Sequence, residues 1–210
     1  PMTLRRALPL ALALLPAPLA AQPVPPAPAA ATAPLPIEAE ARTFITAMIR
    51  DLTAIETRTK DPAARTAALD AELRRYVALD RIGRFLLGAA RAQATPAELA
   101  AYDAAVPGYI LADVRGEIGK LVAQSLVIDK VQARSNTDAL VRSQFRRKTG
   151  GLVRVDWRVI RLPDGSLKLA DVYVNGVSRF VIRRDEFQSL VKTGGMPALI
   201  RQVSAASAAA

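Results

Sequence analysis

The chain has 210 residues, 51% of them hydrophobic, with 29 Lys and Arg against 19 Asp and Glu and a formal charge of +10. That composition supports a sizeable apolar core and excludes intrinsic disorder as the general state of the chain. With no cysteine and no histidine, it also excludes disulfides, thiolate nucleophiles, Ser-His-Asp triads and the usual zinc sites, each of which needs sulfur or imidazole.

Residues 1–21 read as a secretory signal. Arg5 and Arg6 form the positive region, Ala7 to Leu15 the apolar run, and small residues lead to cleavage near Ala20 or Ala21. With Pro9 inside the run and Pro16 just beyond it, the segment is too short for the roughly 20 apolar residues of a membrane span. Export to the periplasm is expected, and losing two arginines lowers the charge from +10 to +8. In that compartment a basic surface suits anionic lipid headgroups or an acidic protein better than nucleic acid. Residues 22–36 are almost entirely Pro and Ala and read as an extended linker. The folded domain is expected over residues 37–204, with a frayed alanine-rich tail at 205–210.

Helical signals run from Ile37 to about Leu121. Phe44, Ile45, Met48, Ile49, Leu52 and Ile55 recur at three- and four-residue steps, one apolar stripe of a first helix ending near Arg58. Asp61-Pro62 is an N-cap with proline at the first helical position, and it opens a second helix carrying Leu69, Leu73 and Tyr76. A short helix over Asp80 to Leu87 carries Ile82, Phe85 and Leu86 and stops at Gly88. Thr95-Pro96-Ala97-Glu98 is a capping box; the helix it opens has the stripe Leu99, Tyr102, Val106, Tyr109 or Ile110, Val114, Ile118 and Leu121. Pro107, lacking an amide hydrogen, should kink or divide that helix.

Strand signals then take over. Leu126, Ile128 and Lys130 alternate with Val127, Asp129 and Val131, and Ser135-Asn136-Thr137 turns the chain into a second strand over Ala139 to Arg147. Arg146-Arg147-Lys148, next to the following turn, reads as a solvated charge run. In Leu152 to Leu162, Val153, Val155, Trp157 and Val159 share one face while Arg154, Asp156 and Arg158 share the other. A strand over Leu167 to Val174 follows, and Asn175-Gly176 turns it into another expected at Val177 to Ile182. Helix returns at Glu186, pauses at Gly194-Gly195 and resumes through Leu199 and Val203. Segregated helices and antiparallel strands define an α+β fold: a helical N-terminal part, then a four- or five-stranded curved meander, then two closing helices. One face of the sheet is apolar, and only the helices can cover it.

Several segments carry a family resemblance. Leu79-Asp80-Arg81-Ile82-Gly83-Arg84-Phe85-Leu86-Leu87-Gly88 with Ala94-Thr95-Pro96-Ala97-Glu98 resembles the first signature of the MlaC family, the toluene-tolerance or organic-solvent-resistance ABC-transporter auxiliary proteins. The second signature is matched by Asp156-Trp157-Arg158, Asp171-Val172, Gly176-Val177-Ser178 and Arg184-Asp185-Glu186-Phe187, then by Gly194 or Gly195 and Leu199-Ile200. The resemblance spans residues 40 to 203. The chain departs from it at Trp157, usually tyrosine, and at Leu167, Arg179 and Arg183, where the family has apolar or aromatic residues. The resemblance implies a monomeric periplasmic phospholipid carrier with a nuclear-transport-factor-like sheet and a helical part around an apolar cavity. It implies exchange of lipid with an outer-membrane lipoprotein–porin complex and an inner-membrane ABC transporter bearing MCE domains, with no cofactor and no metal.

Such a carrier needs a greasy wall rather than a catalyst. The candidate lining is Val153, Val155, Trp157, Val159, Val172 and Val174 of the strands, with Phe85, Ile110, Val114, Phe187 and Leu190 of the helices; an ordinary packed core would use the same residues. The amphipathic ring of Trp157 would suit a cavity mouth. Arg84, Arg179 and Arg183 are candidates for headgroup or partner contact. Asp156, Arg158, Asp171, Gly176, Ser178 and Arg184 read as structural, the charged ones as ion pairs fixing register or capping the last helix. A rival reading is an enzyme acting on an apolar substrate with Asp156 or Asp171 as a desolvated base; another is a basic structural protein of the envelope.

Overall fold

Prolines at first helical positions and polar caps set most of the helix starts. In the computed structural model, which describes residues 36–119, 126–146 and 150–208 within the unit Pro34–Ala210, helix α1 spans Pro36–Arg58 and α2 spans Pro62–Tyr76. The Asp61 carboxylate accepts the Ala64 amide at 2.7 Å, as its N-cap position predicts. Helix α3 (Leu79–Leu87) stops at Gly88, where φ is +51°, and a short 3₁₀ segment carries the chain to α4 (Pro96–Gly119). The capping box closes as expected: Thr95 Oγ1 accepts the Glu98 amide at 3.2 Å, and Glu98 accepts the Thr95 amide at 2.8 Å. The expected signal segment, the linker as far as residue 35, Leu121, Arg147, Lys148 and the last two residues of the tail lie outside the described residues.

Helix α4 runs unbroken through Pro107, contrary to the expected division. The missing amide would have bonded the carbonyl of Asp103, and Asp103 and Pro107 both border a surface pocket. The carbonyl left over therefore has access to solvent, which makes the loss tolerable in mid-helix.

The strands β1 (Leu126–Ser135), β2 (Asp138–Arg146), β3 (Leu152–Arg161), β4 (Leu167–Val174) and β5 (Val177–Ser178) form one antiparallel sheet in the order 1-2-3-4-5. The architecture is α+β: helices first, an open five-stranded meander, then helix α5 (Arg179–Ala208), which breaks at Gly195 (φ +68°, ψ −178°) into the two closing segments foreseen. Asn175 and Gly176 both take positive φ, 50° and 86°, so the β4–β5 turn is the tight type that their sequence announces.

Two expectations fail for local reasons. Lys130 does not continue the inward face of β1; the register shifts between Ile128 and Lys130, so Val131 and Ala133 turn inward and Lys130 is exposed. One extra residue in a strand flips every side chain beyond it. The last strand is two residues rather than Val177 to Ile182, because Ser178 acts as a helix cap: its hydroxyl accepts the Val181 amide at 3.0 Å and α5 begins at Arg179.

Helix α1 closes the free edge of the sheet. Glu38 accepts the Ala133 amide at 2.8 Å and Arg42 donates to the Ile128 carbonyl at 3.4 Å. These bonds satisfy backbone groups that would otherwise invite a foreign strand.

Candidate functional site

The inner wall of the sheet is built by simple alternation. Along β2, Ala139, Val141, Ser143 and Phe145 point inward, and along β3, Val153, Val155, Trp157 and Val159 do so. Register sets Val155 opposite Ser143 and Val174, and Trp157 opposite Val141 and Val172. These side chains form one apolar cluster with Ile110 and Val114 of α4 and Phe187 of α5, against which Val174 and Leu190 are half-buried. Phe187 meets two rings of α4, Tyr109 at 5.1 Å and Tyr102 at 6.4 Å between ring centres. Ten of the eleven proposed lining residues are thus brought together. Phe85 is the exception: it is 38% exposed and sits under the Arg184 guanidinium at 5.0 Å.

Trp157 is not at an opening. It is fully buried, edge-on to Phe145 at 6.3 Å, and its indole N–H donates to Ser143 Oγ at 2.8 Å. Ser143 in turn donates to the Val155 carbonyl at 2.7 Å. A polar residue in the middle of an apolar strand face is therefore the partner the indole needs; Ser143 was not among the residues singled out from the sequence. Tyr102 likewise donates to the Gly83 carbonyl at 2.8 Å, and burial pushes the Tyr109 phenol up to about 12, so both rings stay neutral.

The signature around Asp171 and Gly-Val-Ser is a helix-capping device. The Asp171 carboxylate accepts the Ser178 hydroxyl at 2.6 Å, the Val172 amide at 2.8 Å and the Phe180 amide at 3.4 Å. Gly176 supplies the turn that brings Ser178 back beside it. Burial raises the Asp171 pKa, and the Ser178 hydroxyl and these amides pull against that rise. Asp171 also borders a pocket of about 100 Å³ with Arg81, Phe85, Arg158 and Phe180.

The other charged residues of the signature are placed by ion pairs. Arg154 holds the buried Asp156 through two nitrogens, the closer at 2.7 Å, and Arg158 reaches across the strands to Asp138 at 2.6 Å. Arg184 packs against the backbone at Gly88, where an added Cβ would lie 3.2 Å from its Nε. Arg179 and Arg183 turn to α4: Arg179 pairs with Glu117 at 3.1 Å and Asp113 at 3.3 Å, while Arg183 holds Asp113 at 2.5 Å and Glu186 at 2.8 Å. Arg84 borders a surface pocket of about 190 Å³ with Arg91, Asp80 and Asp103. Among the described residues, no group of three or more acidic side chains could hold a metal ion.

What these elements define is a helix-covered antiparallel sheet with an apolar inner wall, whose buried carboxylates serve caps and ion pairs. A family model described as MlaC protein matches residues 42–205, and the chain belongs to that family. A solved structure of similar fold is the phospholipid-binding protein from Ralstonia solanacearum in complex with a phospholipid, with a TM-score of 0.65 and 19% sequence identity over 82% of this chain and 97% of that one. At that identity the likeness establishes the fold. No curated protein matches the chain.

Proposed function

We propose that this protein is a periplasmic phospholipid carrier that holds acyl chains against the inner wall of its sheet and delivers them between membrane complexes. The observation that carries the reading is the wall itself: strands β2 to β4 and helices α4 and α5 converge on one apolar cluster, in a chain of the MlaC family whose fold is shared by a protein solved with phospholipid bound.

The energetics suit a shuttle. Burying acyl chains is worth ~0.8 kcal/mol per methylene against water, so about 30 methylenes hold the lipid by roughly 20 kcal/mol against escape. Moving the same chains from a bilayer to a protein interior exchanges hydrocarbon for hydrocarbon, and the net change is small. Lipid therefore passes by contact rather than by release. Partners in that exchange would be an outer-membrane lipoprotein–porin complex and an inner-membrane ABC transporter with MCE domains, as the family suggests, and neither step needs a cofactor.

The enzymatic alternative draws less support. A raised Asp pKa can mark a catalytic base, but the donors around Asp171 are the cap of α5, and Asp156 is engaged by Arg154. Native mass spectrometry of the chain purified from a bacterial periplasm tests the proposal. A mass increment of one phospholipid is expected; a ligand-free spectrum under conditions that preserve a known carrier's lipid contradicts it.

A further inference from the structure

Two of the three arginines that the sequence offers for headgroup or partner contact, Arg179 and Arg183, are consumed inside the fold by Asp113, Glu117 and Glu186. Unpaired positive charge is found instead on the sheet face opposite the apolar wall, at Lys130 and Arg142. One row of that face reads Lys130, Arg142, Asp156 and Tyr173 across β1 to β4, by direct register. Arg154 and Arg158 flank Asp156 along β3, and Arg134 of β1 reaches the Tyr173 hydroxyl.

The carboxylates in this patch are already taken. Asp156 is buried and gripped by Arg154, and Asp138 is held by Arg158. Asp129 accepts from Gln144 at 2.6 Å. Arg142 therefore stands beside a carboxylate that it does not engage: it makes no hydrogen bond or ion pair among the described residues, and its Nε is buried without a partner. Lys130, directly opposite on β1, is exposed and equally unpaired. Like charges facing each other across a strand pair are destabilising, and a buried guanidinium N–H without an acceptor adds to the cost. An external carboxylate set between the two cations would offset their repulsion.

The geometry points to this face as the docking surface for an acidic protein, with Lys130 and Arg142 at its centre and Arg134 beside them. A protein surface fits better than a membrane. Lys130 and Arg142 are fixed opposite each other by strand register, and a folded partner can hold a carboxylate against such a pair in a defined geometry that mobile lipid headgroups do not keep. Among the described residues, no large apolar side chain of the kind that inserts into a bilayer is exposed at the centre of the patch; Val127 and Leu152 lie toward its margin. This inference stands apart from lipid carriage: a chain that never held lipid would still dock here.

The test uses the whole chain and two probes, a labelled short polyglutamate peptide read by fluorescence anisotropy and phosphatidylglycerol vesicles read by co-sedimentation. Lys130→Gln with Arg142→Gln should weaken polyglutamate binding roughly tenfold at low salt and flatten its salt dependence. Lys192→Gln with Arg201→Gln removes the same charge from exposed sites on α5 and should change it much less. If Arg142→Gln impairs folding, the exposed single variant Lys130→Glu should still reduce binding several-fold. The proposal is overturned if both charge-removing pairs weaken the peptide equally. It is also overturned if the Lys130 and Arg142 variants leave peptide binding intact, or if they weaken only vesicle binding.

Discussion

Replacing Ser178 with alanine should cost more stability at neutral pH than in mild acid. The hydroxyl has two jobs, accepting the Val181 amide at 3.0 Å and donating to the Asp171 carboxylate at 2.6 Å, and both residues are buried, Ser178 at 8% exposure and Asp171 at 6%. Losing an N-cap costs about 1 kcal/mol, and losing a hydrogen bond to a buried charge about 1.5–3 kcal/mol. The sum is about 3 kcal/mol at pH 7, which for a domain of this size lowers Tm by roughly 6–12 °C. Burial already holds the Asp171 pKa above 3.8, and Ser178 is the strongest of the groups pulling it back down. In the variant the folded-state pKa rises further above the unfolded value. Stability from such a group is fully present below the unfolded pKa and is lost as pH rises through the folded one. The deficit should therefore be complete at neutral pH and shrink as pH falls toward the ordinary aspartate value. Thermal melts at several pH values, with Asp171→Asn and the double variant as a cycle, measure it. A deficit independent of pH, or losses that simply add in the double variant, would refute the shared-cap reasoning.

Three further outcomes are expected. Ser143→Ala leaves the buried Trp157 indole without its acceptor and should cost about 1–3 kcal/mol in denaturant unfolding, with most of that loss absent when Trp157→Phe is already in place. Gly88→Ala forces a side chain onto a positive φ and against Arg184 and Gln188, and should destabilise by about 1–2 kcal/mol; an unchanged midpoint would show that α3 does not depend on that turn. Val174→Asp puts a charge on the half-buried edge of the apolar wall; the folded variant should carry markedly less phospholipid in native mass spectra, and full loading would remove Val174 from the wall.

Features set by a few neighbouring residues were legible from the sequence. The Asp61 cap, the Thr95–Glu98 box and the Asn175-Gly176 turn each form within four residues, and all are present. The inner face of β3 was equally plain, since Val153, Val155, Trp157 and Val159 alternate without interruption. What stayed hidden depends on geometry the alternation does not encode. The bulge at Asp129 reverses the phase of β1 with no glycine or proline to mark it. Val177 to Ile182 is apolar and β-branched enough to read as strand, and only the pairing of Ser178 with Asp171 turns it into a helix start. The roles of Arg179 and Arg183 were out of reach because their partners on α4 lie more than sixty residues earlier.

Trp157 offers the most direct test of where lipid sits, because it is the chain's one tryptophan and lies buried on the inner wall. The lipid-stripped protein would be loaded from vesicles with phospholipid brominated in its acyl chains, and emission compared with that of protein loaded with the unbrominated lipid. Chains lying against β3 should quench the indole strongly. Bound brominated lipid that leaves Trp157 emission unchanged would place the cargo elsewhere and contradict the account.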